Sequence, residues 1–168
     1  MLKKSKGRIA NLFFHELFHA TYYAPSTVDV NENLANFMAE KATLQFLRKD
    51  TTALNIYLKT MHDDSVYKDF SLKSYEKLKD FYTSINNLSD FKKLKQKDSL
   101  LLTIYKNSFY LPLNYPNKYK EFNKQILFSK NAFFVDIKRY DGLYDSLNTV
   151  FTQKYKSNLK KMIEDLKK

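Results

Sequence analysis

Two segments with helical apolar spacing, residues 8–23 and 31–49, are separated only by a short loop around Pro25, and this connection limits the fold more than any other feature of the chain. Pro25 disfavours helical geometry at Ala24, so the first helix has to end there. Asp29 or Asn31 can cap the second, which runs through Glu32, Leu34, Phe37, Met38, Ala42, Leu44, Phe46 and Leu47. Two helices joined this closely pack antiparallel. In the first, Ile9, Leu12, Phe13, Phe14, Leu17, Phe18 and Ala20 cover most of the circumference, the pattern of a buried helix, which is therefore expected in the core.

The rest of the chain reads as scaffold. Segments 52–61, 72–85 and 88–111 carry apolar residues at three and four spacing, with Asn86-Asn87 and Ser89-Asp90 as punctuation. Two Pro within residues 111–117 make that stretch a loop, and helical pieces are predicted at 118–128, 132–140, 142–151 and 154–166. With 2 Gly and 3 Pro in 168 residues there is little of the turn chemistry that many short strands need. The expected fold class is mainly α, with little or no sheet. No repeat, linker or internal boundary is visible, so residues 1–168 are expected to form a single mostly helical domain.

The net charge of +11 would suit a nucleic acid, but the Lys are scattered and mixed with acids, so they read as solvated helix faces and no nucleic-acid partner is expected. The basic start MLKKSKGR precedes apolar IANLFF, yet Asn11, His15, Glu16 and His19 interrupt the run and no small-residue cleavage site follows, which argues against a signal peptide. No run of about 18 apolar residues is present, so no membrane span is expected. Without Cys there is neither a disulfide nor a thiolate site.

The first helix carries His15-Glu16-Leu17-Phe18-His19. Two His four residues apart share a helix face and can reach one ion, with the Glu between them directed towards a water on that ion. His15 and His19 are thus candidate ligands of one Zn2+, and Glu16 is the candidate general base of a peptide hydrolysis. A catalytic zinc site needs a third protein ligand. No HxxGxxH continuation follows His19, so the metzincin pattern fails. Glu32, at the start of the facing helix, is the natural third ligand. Ala35, Asn36, Ala39 and Thr43 share its side and allow close approach, placing Asn36 near His15 as a hydrogen-bond acceptor. Glu40 lies too far along the axis to bind the same ion. Tyr22, Tyr23 and Tyr140 are candidate oxyanion stabilisers, and His62 reads as an exposed side chain.

HELFH followed by NENLANFMAE resembles the gluzincin pattern, in which NExxA supplies the third zinc ligand. More closely, residues 8–23 and 31–47 are similar to a bacterial family of predicted aminopeptidases, with weaker similarity at 72–82 and at Lys130-Asn131-Ala132 followed by Tyr140. The resemblance implies His15, His19 and Glu32 as ligands, Glu16 as base and a peptide as substrate. Val30, Thr43 and Phe18 depart from the family pattern, and Phe18 in place of a family Ala puts a bulky ring beside the site. Family members carry additional sequence ahead of HExxH, so the chain is expected to be a C-terminal part, truncated at its N terminus. The alternative reading is a non-catalytic helical domain whose zinc site is structural or vestigial and which acts as a binding module.

Overall fold

A computed structural model describes residues 4–25, 27–139 and 143–167. The described chain is helical throughout: α1 Lys6–Thr21, α2 Val28–Leu47, α3 Thr51–Ser84, α4 Asp90–Asn107, α5 Lys120–Phe128, α6 Asn131–Arg139, α7 Tyr144–Gln153 and α8 Leu159–Leu166, with 3-10 turns at Ser108–Tyr110 and Pro116–Tyr119. No strand occurs among the described residues, as the scarcity of Gly and Pro predicts. None of the described helices is long and apolar enough to cross a membrane. The chain divides into two compact units, Met1–Leu58 with Tyr140–Lys168, and Lys59–Arg139. That division falls inside α3, so no linker composition marks it.

In the first unit α1 and α2 run antiparallel. At one end Lys6 Nζ meets Asp50 Oδ2 at 2.6 Å, and at the other His19 faces Glu32. Between them the rings of Phe14 and Phe46 lie edge to face at 6.0 Å. A Cβ at Gly7 would fall 2.7 Å from the Tyr57 side chain, so only glycine permits that approach. The core is built on α2, whose Leu34, Ala35, Phe37 and Met38 pack with Phe18, Phe151, Tyr155 and Met162.

α1 is not the buried helix its composition predicts. Phe18 is buried, but Ile9, Leu12, Phe13 and Leu17 are 41, 45, 62 and 48% exposed. Apolar residues around a helix tell how much of it can be covered, not what covers it. A single helix, α3, also replaces the two expected over 52–61 and 72–85. The polar stretch between them contains neither Gly nor Pro, and its Asp63 is a structural residue rather than a break.

In the second unit Asp63 is fully buried. Its carboxylate accepts hydrogen bonds from the Asn114 backbone N–H, the Asn114 side-chain amide and the Tyr115 N–H, each at 2.8 Å, which pins the loop after α4 to α3. Burial pushes the Asp63 carboxyl up. The hydrogen bonds from Asn114 and Tyr115, with His62 beside it, outweigh burial and hold it below the ordinary carboxylate value. A depressed folded-state pKa contributes stability above the unfolded value, and that contribution is lost as pH falls through the folded value. Asp63→Ala is expected to cost about 3 kcal/mol near neutral pH, from loss of charge-assisted hydrogen bonds. Urea midpoints of wild type and variant should draw together as pH drops below 3.8. Equal midpoints at neutral pH would contradict the assigned role.

Candidate metal centre

The N-cap of α1 is Ser5, whose side chain accepts from Arg8 N–H, and the helix ends at Tyr22, where the chain becomes extended. His15 and His19 therefore sit in its second half on one face. Their Nε2 atoms converge to 3.1 Å, with the rings nearly perpendicular.

Glu32 reaches this pair from the first turns of α2. Its Oε2 lies 3.5 Å from His15 Nε2 and its Oε1 lies 3.3 Å from His19 Nε2. The three side chains can offer one ligand atom each within a common span of 4.8 Å. They are partly covered, at 16, 22 and 30% exposure for His15, His19 and Glu32, so the cluster opens to solvent on one side. Around an ion with bonds of about 2.05 Å, the edges of a tetrahedral ligand shell measure roughly 3.3 Å. The Nε2–Nε2 separation of 3.1 Å and the His19 Nε2–Glu32 Oε1 separation of 3.3 Å are close to that edge, and the other carboxylate oxygen lies 3.5 Å from His15 Nε2. Two imidazole nitrogens and a carboxylate form a donor set that suits zinc, so the residues present fit the ion.

The residue before Glu32 has a role that the sequence does not disclose. Asn31 was a candidate cap, but α2 starts three residues earlier, at Val28, with Thr27 as its N-cap. Asn31 is buried and clamps the connection instead: its Oδ1 accepts from Ala24 N–H at 2.7 Å, and its Nδ2 donates to the carbonyls of Ala24 and Thr27 at 3.1 and 3.3 Å. Those bonds tie the loop after α1 to the start of α2, directly before Glu32. An Asn beside a loop is a usable sign of such a clamp, since its side chain can both donate and accept.

Glu16 lies outside the donor cluster. It is exposed, beside the His face of α1, and has no hydrogen-bond or ion-pair partner among the described residues. Asn36 is exposed and makes no hydrogen bond to either imidazole among the described residues. One turn past Glu32 it has rotated about 40° around the helix, enough to leave the ligand line. Ala35, Ala39 and Thr43 are fully buried, as close packing of α2 requires. Glu40 is also apart from the cluster, bonded to the Tyr144 hydroxyl and to Lys41.

Phe18 does not crowd the site. It is buried in the core and its ring packs against Tyr22, 6.0 Å away. Of the candidate oxyanion stabilisers, Tyr23 is exposed with its ring 6.3 Å from that of His19, Tyr22 borders the core, and Tyr140 lies outside the described residues. His62 belongs to the second unit, where its Nδ1 is 3.4 Å from Asp63.

Fold and site together define a class: an all-helical protein whose first two helices assemble a two-histidine, one-carboxylate donor cluster. More particularly, the chain belongs to the family described as Putative aminopeptidase, whose model matches residues 1–168. This agrees with the resemblance to predicted aminopeptidases at the level of the family. No curated protein and no solved structure matches the chain.

Proposed function

We propose that the chain is a zinc-dependent peptidase of gluzincin type, acting on peptides with a free amino terminus, with His15, His19 and Glu32 as ligands and Glu16 as general base. The observation that carries this reading is the convergence of the two Nε2 atoms to 3.1 Å with the Glu32 carboxylate across both, Oε1 3.3 Å from His19 and Oε2 3.5 Å from His15, and a carboxylate one residue after His15 that is unpartnered among the described residues. Zinc, when bound, supplies Lewis-acid activation of water and polarisation of the peptide carbonyl. The chain's residues do the rest. Glu32 and the two Nε2 atoms would hold the ion, and Asn31 ties down the loop that precedes Glu32. Glu16 takes a proton from the attacking water and returns it to the leaving amine, so that one water and one peptide bond become a carboxylate and an amine. Family membership supports the peptidase class, and the word aminopeptidase in the family description is the support for the free-amine preference.

The test is hydrolysis of a short peptide with a free amino terminus beside its N-acetylated twin, in chelator-treated protein titrated with zinc. Activity should be absent without metal, rise up to one equivalent of zinc and favour the free-amine peptide. Hydrolysis that persists in chelator would overturn the metal assignment. One bound zinc with no hydrolysis would overturn the catalytic reading in favour of a structural site. Equal cleavage of the acetylated peptide would overturn the aminopeptidase assignment.

A further inference from the structure

Within the first unit, away from the donor cluster, a cavity of about 890 Å³ opens between α2 and the α7–α8 turn. Its size falls in the range of small-molecule sites, roughly 300–1,000 Å³. Leu44, Phe151, Leu159 and Ile163 give it an apolar wall, while three lysines, Lys41, Lys156 and Lys160, and one acid, Glu164, share its lining.

The three lysines differ in what already holds them. Lys41 Nζ donates to Glu40 and to the Tyr144 hydroxyl, both at 3.0 Å, and stands over the rings of Phe37, Tyr144 and Phe151. It is a fixed post. Lys160 has only a loose, exposed pairing with Glu164 at 3.8 Å. Lys156 has no ion-pair partner among the described residues.

The backbone at Lys156 is a second, independent observation. After α7 the chain turns through two left-handed residues, Lys156 at φ 51° and Ser157 at φ 59°, with Ser157 N–H bonded to Phe151 O at 2.9 Å. That bond closes the turn after α7, and a left-handed backbone position is one that glycine adopts most readily. A side chain there is held at a conformational cost, and such cost tends to collect at sites with a function. The turn thus places Lys156, an exposed residue with no ion-pair partner among the described residues, in the lining of the cavity.

We propose that this cavity binds a small organic anion with an apolar body, of the medium-chain carboxylate class, its chain against Leu44, Phe151 and Ile163 and its carboxylate met by Lys156 and Lys160. The cavity contains none of His15, Glu16, His19 and Glu32, so the inference stands apart from the peptidase reading.

Isothermal titration of the whole chain with decanoate, kept below its micelle concentration, tests it. Saturable one-to-one binding is expected, with acetate and decanol, the head and the tail alone, weaker by at least about tenfold. Lys156→Gly should keep or raise the melting temperature, because glycine suits the left-handed position, while lowering decanoate affinity about tenfold. Lys156→Gln should lower it similarly with the turn unchanged. No binding of decanoate, equal binding of decanol, or wild-type affinity in Lys156→Gly would each overturn the proposal. So would binding to vesicles of anionic lipid without binding of monomeric decanoate.

Discussion

Glu16→Gln is expected to bind one zinc as the wild type does and to hydrolyse peptides slower by a factor of about 10²–10⁴, the range that a positioned general base supplies. The substitution keeps the shape of the side chain and removes its capacity to take a proton. Two features of the site make it a clean test. Glu16 is exposed and unpartnered among the described residues, so its loss should stay within about 0.5 kcal/mol in folding stability. The donor cluster is complete without it, so metal content and chemistry separate. The measurement is zinc stoichiometry and turnover on the same preparation. Unchanged turnover would remove Glu16 from the mechanism, whereas loss of zinc along with activity would show that it serves the site rather than the reaction.

Much of this site was legible because its geometry is local. His15 and His19 are four residues apart on one helix, and a loop as short as 22–27 leaves the next helix only one place to lie, which brings Glu32 to them. The fold class was legible for a related reason: few Gly and Pro leave few places to turn. What escaped depends on partners distant in the chain or on the direction of a side chain. Asp63 looked like part of a polar interruption because its hydrogen-bond donors, Asn114 and Tyr115, come 51 and 52 residues later. Once those are in place α3 has no reason to break. Asn31 read as a cap, since the same side-chain oxygen that can cap a helix can equally receive the Ala24 N–H across the loop. The exposed Ile9, Leu12, Phe13 and Leu17 carry the same periodic signal as buried residues would. The left-handed turn at Lys156 has no sequence sign, because the usual sign, glycine, is missing.

Glu32→Ala should lower zinc affinity by more than about 100-fold, above the roughly 10–100-fold effect of losing a residue that only supports a ligand. The carboxylate spans both imidazoles, one oxygen towards each, at 3.5 and 3.3 Å. Its removal therefore leaves two ligands where a catalytic zinc site uses three. Glu40→Ala provides the contrast on the same helix. Glu40 is occupied by Tyr144 and Lys41, so its loss frees an ammonium and a hydroxyl two turns away and should change zinc affinity by no more than about threefold. Competition with a chromophoric chelator measures both constants. The order of the two effects is the decisive quantity, because both variants remove one negative charge from α2, one beside the imidazoles and one away from them. A larger loss in Glu40→Ala than in Glu32→Ala would mean that charge near the helix, and not coordination at the converging Nε2 atoms, draws the metal in.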